Sequence, residues 1–283
     1  MPQIIIAKDA GACFGVERAI SLALDEAHVA PRGIFTMGPV VHNKRVVDAL
    51  ALRGIRQGQL EELPEGSKLV VRAHGVTPHE LALATERGLI LVDATCPFVK
   101  RVQDLAHSLE LQGYQVVLVG DAGHAEVEGI CGHAPSAVVL GSADEVDGLT
   151  ISGPIAVIAQ TTQSIECVEE VISALQARGF DVEFHNTICA ATTKHQAGAI
   201  ELAAQVDVML VLGGFHSANT CRLTALCTEI NPKTYQLEGP DELDPAWFSG
   251  AQSIGITAGA STPQSQLEEL QEELEVLLGD AEA

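Results

Sequence analysis

One arrangement recurs along this chain and constrains its fold more than any other feature: an apolar strand-length run, a glycine-rich polar loop and a helix start. One set of loops contains Arg72-Ala-His74-Gly75, Gly120-Asp-Ala-Gly-His124-Ala-Glu126 and Gly213-Gly-Phe-His216-Ser217-Ala-Asn219, following apolar runs that begin at Leu69, Val116 and Val208. A second set contains Met37-Gly-Pro-Val-Val-His42-Asn43, Gln160-Thr161-Thr162 and Ala258-Gly-Ala-Ser261-Thr262. A third carries cysteine, in Gly11-Ala-Cys13-Phe-Gly15, Asp93-Ala-Thr-Cys96-Pro97 and Thr187-Ile-Cys189-Ala-Ala-Thr192. Strands alternating with helical patterns predict an α/β fold with parallel sheets. The cysteines are spaced by about one small α/β unit, which predicts three pseudo-equivalent domains over residues 14–96, 97–189 and 190–283. Residues 1–13 would close the set with an amino-terminal strand and the first cysteine. In parallel sheets ligands collect beyond the carboxyl ends of the strands, so three such units around an axis would turn their loops toward one shared cavity.

Helix starts fit this placement. Thr77-Pro78-His79-Glu80 reads as a capping box with proline at the first helical position. Cys96-Pro97 and Thr262-Pro263 read as helix openings, and Asn43 as a cap for a helix ending near Arg53. Loops that end at helix starts present N–H groups and a dipole suited to anions. Near the carboxyl end, Leu267, Leu270, Leu274 and Leu277 fall on one face of an amphipathic helix.

Composition removes several classes of function. Lys and Arg number 16 against 38 Asp and Glu, a formal net charge of −22, which disfavours nucleic acid and anionic membranes as partners. A phosphate site must therefore come from local histidines, hydroxyls and backbone N–H groups. The longest apolar runs, such as Val206–Leu212, are strand-length, well short of the roughly 20 residues of a membrane span. The start Met1-Pro2-Gln3 lacks a secretory signal pattern, and the expected location is the cytoplasm. Seven cysteines there do not suggest a disulfide framework. The chain has no C-x-x-C, so zinc-ribbon and thioredoxin-type sites have no support.

Cys13, Cys96 and Cys189 share small neighbours and an immediate helix start, a setting that favours thiolate. Three thiolates from separate segments suit a [4Fe–4S] cluster with one iron lacking a protein ligand. Cysteine is equally at home as a small core residue, and spacing alone leaves both readings open for this trio. For Cys131, Cys167, Cys221 and Cys227 the core reading is expected. His42, His74 and His124 lie one to a loop and are candidate ligand-binding residues. His28, His79, His107, His133, His185 and His195 are expected at the surface, and His216 stays open. Glu126 and Glu128 are candidate proton donors if a cavity raises their pKa, or ordinary solvated acids. Thr161, Thr162, Ser217, Asn219, Ser261 and Thr262 suit helix capping and ligand binding alike.

These motifs, taken in order, resemble one family. Gly11-x-Cys13-x-Gly15-Val16-x-Arg18-Ala19, Val41-His42-Asn43, Ala73-His74-Gly75-Val76, Asp93-Ala-Thr-Cys96-Pro97 and Gly123-His124-x-Glu126-Val-Glu-Gly129 are similar to the LytB-type 4-hydroxy-3-methylbut-2-enyl diphosphate reductases. So are Gln160-Thr161-Thr162, Ile188-Cys189-x-Ala-Thr-Thr193 and Thr257-Ala-Gly-Ala-Ser261-x-Pro263. The likeness runs from residue 4 to about residue 278. It implies a trefoil of three small α/β domains around a central [4Fe–4S] cluster held by Cys13, Cys96 and Cys189. It implies that His42, His74, Ser217, Asn219 and Ser261 bind the diphosphate. His124, Glu126 and Thr161 would lie near the substrate hydroxyl, with Glu126 the proton source. The implied activity is two-electron reductive dehydroxylation to isopentenyl and dimethylallyl diphosphates, the last step of the non-mevalonate isoprenoid pathway. Ferredoxin or flavodoxin would supply the electrons.

One loop departs from the pattern. The family usually reads Asn-Ser-Ser-Asn-Ser-Asn-Arg-Leu where this chain has His216-Ser-Ala218-Asn-Thr-Cys221-Arg222-Leu223. Ala218 removes a hydroxyl on the diphosphate side. That leaves room for a cluster-binding paralogue with another substrate, or for a redox sensor. A zinc-dependent hydrolase using three cysteines is the rival enzyme reading.

Overall fold

The computed structural model describes residues 2–29, 33–151 and 153–280. From the amino end the chain runs β1 (Gln3–Ile6), α1 (Phe14–Val29), β2 (Ile34–Thr36), α2 (Lys44–Leu52), β3 (Ile55–Gln57), β4 (Lys68–Val71), α3 (Pro78–Glu86), β5 (Ile90–Asp93) and α4 (Pro97–Leu111). It continues through β6 (Gln115–Val119), α5 (Ala125–His133), β7 (Val138–Leu140), β8 (Ile155–Ala159), α6 (Ile165–Ala177), β9 (Val182–Phe184) and α7 (Ala190–Ala203). It ends with β10 (Val208–Leu212), α8 (Ala218–Ile230), β11 (Thr234–Leu237), β12 (Ser253–Ala258) and α9 (Gln264–Asp280). The fold is α/β, with three parallel four-stranded sheets.

The sheets share one topology. Their strand orders are β3-β2-β4-β5, β7-β6-β8-β9 and β11-β10-β12-β1, with every pairing parallel. In each, the first strand of the unit sits between the second and the third, and the fourth strand lies outside the third. The amino-terminal β1 supplies that fourth strand for the last sheet, pairing with β12 from Gln3 opposite Ser253 to Ile6 opposite Ile256. Chain order reverses between first and third strands, at β2/β4, β6/β8 and β10/β12, which is where α/β sheets bind ligands.

The chain forms two compact units. One comprises Met1–Glu17, His42–Arg45 and Ala190–Ala283 and holds the sheet of β10, β11, β12 and β1. The other comprises Arg18–Val41 and Val46–Cys189 and holds the other two sheets.

Apolar runs become central strands because helices cover both faces. In β6, Val116 and Leu118 join the core against α4 and α5, whereas Val117 and Val119 join that against α6. In β10, Val208, Leu210 and Leu212 face α9, and Met209 and Val211 pack with residues of α7 and α8. The leucine stripe of α9 docks as expected through Leu267, Leu270 and Leu274, each contributing about 2 kcal/mol of burial. Its last buried member is Leu278, while Leu277 flanks the core, because 3.6-residue periodicity carries the face one position on. Thr77 and Glu80 form the expected reciprocal capping box at α3. Among the described residues no helix is long and apolar enough to cross a membrane.

Candidate active site

The predicted site residues leave the sheets at equivalent places. His42, His124, Ser217 and Asn219 follow first strands, whereas His74, Thr161 and Ser261 follow third strands. Cys13, Cys96 and Cys189 follow the fourth strands β1, β5 and β9. The sequence grouping had His42 and His74 exchanged: both follow short apolar runs, and strand order is not written in either loop. Loops after the second strands, β3, β7 and β11, carry none of the candidates.

In the unit built from Arg18–Val41 and Val46–Cys189, Glu126 lies in the first turn of α5 and is 2% exposed. Thr161 donates its backbone N–H to Glu126 Oε1 at 2.6 Å and its hydroxyl to Oε2 at 2.8 Å. Burial pushes the Glu126 carboxyl up to about 7; the nearby Asp121 charge adds to this, and the two Thr161 bonds oppose it. A buried acid balanced near neutrality suits proton delivery. His124 is the N-cap of α5, its Nδ1 accepting the Glu126 N–H at 3.1 Å. Burial lowers its pKa, as does the Arg72 charge, against the opposing pull of Asp121. The His74 and His124 rings meet edge to face, 5.4 Å apart at 88°.

Two cysteines enter the same unit. Cys96 is the N-cap of α4, with Pro97 at the first helical position, and its N–H donates to Ala73 O at 2.9 Å. Burial raises the Cys96 thiol; the N–H groups of Phe98 and Val99 act against that, and the charges of Cys189 and Glu126 reinforce it. Cys189 donates its N–H to Thr161 O at 3.0 Å. Cys96, Cys189, Glu126 and Thr161 are thus one neighbourhood, with the His74–His124 pair reached through Ala73 and the α5 cap.

The other unit holds Ser217, Asn219 and Ser261 with Cys13 and His42. Ser217 is the N-cap of α8, its Oγ accepting the Thr220 N–H at 3.4 Å. The Ser261 hydroxyl lies 3.2 Å from both the Ser217 Oγ and the His42 carbonyl oxygen. Asn219, 4% exposed, has neither side-chain oxygen nor nitrogen bonded among the described residues. A buried amide left so costs about 1–3 kcal/mol per group, a cost that a ligand would offset. Close approach here needs glycine: a Cβ at Gly259 would sit 2.1 Å from Thr220 Oγ1, and one at Gly214 2.8 Å from His42 O. Cys13 donates its N–H to Ala260 O at 3.1 Å, next to Ser261, and its carbonyl starts α1 by accepting the Glu17 N–H.

Asn43 precedes α2 with its amide joined to Gln266 Oε1 at 3.0 Å. Two expectations change. His195 is buried at 6% exposure, because it faces inward from α7 toward Asp9, whose charge acts on it. Cys221 is exposed instead of belonging to a core, whereas Cys227 is fully buried; Cys221 sits in the first turn of α8, at the loop side. His28, His79 and His107 are exposed and His133 and His185 partly so. Sequence reading passed over Arg72, whose only signal was its place between β4 and His74.

A family model described as LytB protein matches residues 4–275. The chain belongs to the LytB protein family. It is 46% identical over 269 residues to the 4-hydroxy-3-methylbut-2-enyl diphosphate reductase of Pelobacter propionicus, covering 95% of this chain and 96% of that relative. The protein of the same name from Geotalea uraniireducens is 44% identical, with 98% and 99% covered. Among solved structures, an (E)-4-hydroxy-3-methyl-but-2-enyl diphosphate reductase, described as the terminal enzyme of the non-mevalonate pathway, aligns at 38% identity and TM-score 0.71 over 98% of this chain and 100% of its own. The Plasmodium falciparum E-1-hydroxy-2-methyl-but-2-enyl-4-diphosphate reductase aligns at 26% identity and TM-score 0.91, covering 97% and 87%. As a member of the LytB family the chain is an iron–sulfur enzyme.

Proposed function

We propose that this LytB chain reduces 4-hydroxy-3-methylbut-2-enyl diphosphate to isopentenyl and dimethylallyl diphosphates. Two electrons and two protons enter, the allylic C–O bond breaks, and water leaves. The observation that carries the reading is the Glu126–Thr161 pair: a buried acid with a pKa of about 7 beside Cys96 and Cys189, in a chain of this family.

The chemistry of Cys13, Cys96 and Cys189 suits an iron–sulfur cluster, and the local setting of each supports that reading. Each thiol stands immediately before a helix, α1, α4 and α7, where the dipole favours thiolate. Two further N–H groups approach the Cys96 sulfur. We assign the three as ligands of a [4Fe–4S] cluster, which supplies electrons and a Lewis-acidic iron when bound. The electrons come from ferredoxin or flavodoxin.

The chain's own residues bind, orient and protonate. Ser217, Asn219, Ser261, His42 and His74 hold the diphosphate, with the α8 amino terminus adding its dipole. The open amide of Asn219 provides donor and acceptor at once. His124, whose Nδ1 caps α5 by accepting the Glu126 N–H, lies with Glu126 near the substrate hydroxyl. Glu126 delivers a proton to the departing oxygen, and Thr161 keeps both carboxyl oxygens aligned for it. Ala218, at the first position of α8, is the one observation favouring a relative with altered substrate.

Anaerobic purification with iron and sulfide analysis tests the reading. The expected protein is brown and bleaches with dithionite. A colourless, zinc-loaded protein would overturn it in favour of a hydrolase.

A further inference from the structure

Arg72 follows the last residue of β4 and makes three connections inside one unit. Its Nε donates to Gly75 O at 3.1 Å, and the Gly75 N–H returns to Arg72 O at 3.0 Å. This closes the turn that carries His74, with Gly75 at φ +73, a conformation glycine adopts readily. Its Nη1 lies against Gly38, 3.2 Å from where a Cβ would be, and the next residue, Ala73, donates its N–H to Val40 O at 3.1 Å. The loops after β2 and β4, on either side of the point where strand order reverses, are thereby fastened together. Third, the turn carries the His74 ring, which meets the His124 ring edge to face, 5.4 Å apart.

His124 is an unusual cap. Its Nδ1 accepts the Glu126 N–H at 3.1 Å, so a proton on Nδ1 would delete the acceptor at the start of α5. Within this unit Asp121, in the same loop, and Arg72 act on the ring by charge, the His74 ring meets it edge to face, and the Glu126 N–H bonds its Nδ1. Asp121 favours the protonated ring, and Arg72 offsets it.

We propose that Arg72 is a positioning residue that locks the turn of His74 and, through the edge-to-face contact of the His74 and His124 rings, steadies the His124 cap that sets Glu126 at the head of α5. The cap stands on geometry alone; its consequence for turnover rests on the reductase reading.

Selectively 13C-labelled histidine in the full, cluster-loaded protein gives the direct test, with His124→Asn identifying the resonance. Arg72→Gln should raise the pH at which His124 titrates, while Arg72→Lys, which keeps the charge, should hold it near the wild-type value. Asp121→Asn, with Arg72 intact, should move it down. In turnover, the acidic limb of kcat should move to higher pH in Arg72→Gln and return with Arg72→Lys, whereas KM should rise in both because each loses the Nε bond to Gly75. A His124 titration unchanged in Arg72→Gln would overturn the proposal. So would an equal shift in Arg72→Gln and Arg72→Lys. A wild-type protein without turnover would refute the reductase reading, and the resonance titration would still decide the role of Arg72.

Discussion

Thr161 grips both oxygens of Glu126, its N–H reaching Oε1 at 2.6 Å and its hydroxyl reaching Oε2 at 2.8 Å. The residues are 35 positions apart, Thr161 in the loop after the third strand and Glu126 in the first turn of the helix that follows the first strand of one sheet. This contact turns a buried carboxyl into an oriented one.

Glu126→Gln keeps the shape and removes the acid. Loss of a positioned proton donor should lower kcat by about 10²–10⁴, with cluster absorbance and substrate binding retained. Wild-type kcat should also fall above about pH 7, where Glu126 loses its proton. Near-wild-type turnover in the glutamine variant would remove Glu126 from the proton role.

Thr161→Val deletes one of two bonds that favour the carboxylate. The Glu126 pKa should rise, moving the alkaline limb of kcat up by about one pH unit or less. A limb that stays in place would show that the hydroxyl does not tune the acid.

Glu126 also links stability to pH. Its folded pKa, about 7, exceeds the ordinary 4.5, so the folded chain keeps a proton that the unfolded chain releases between those values. That contribution is complete below about 4.5 and is lost as pH rises through about 7, a change on the order of 3 kcal/mol. Glu126→Gln should therefore gain in melting temperature relative to wild type between pH 5 and 8. A constant difference across that range would contradict the assignment.

The two positions at the head of α8 separate binding from folding. Asn219→Ala should raise KM at least tenfold while changing the melting temperature little, since the amide atoms make no hydrogen bond within the described fold. Ala218→Ser should lower KM several-fold by adding one neutral hydrogen bond, worth about 1 kcal/mol. An unchanged KM in Asn219→Ala would take that residue out of the diphosphate site.

Sequence alone carried much of this, and the gaps have physical causes. Thr77-Pro78 and Cys96-Pro97 announced helix starts because proline and capping act locally. Residues of β6 and β10 read as buried strands because both faces are covered. Strand order is a long-range property: nothing in the loop of His42 or of His74 says which strand is first in its sheet. The closure of β1 on β12 joins opposite ends of the chain, so no local pattern specifies its register. His195 looked like a surface residue because α7 has no strong apolar stripe, yet it faces inward. Arg72 was invisible because its role lies in a guanidinium spanning two loops.

The most direct measurement is anaerobic turnover of 4-hydroxy-3-methylbut-2-enyl diphosphate by the iron-loaded protein with reduced methyl viologen, run beside Cys96→Ser and Cys167→Ser. Wild type and Cys167→Ser should release isopentenyl and dimethylallyl diphosphates, while Cys96→Ser should lose iron and turnover together. A fully loaded, active Cys96→Ser protein, or a loaded wild type that leaves the substrate unchanged, would contradict the account.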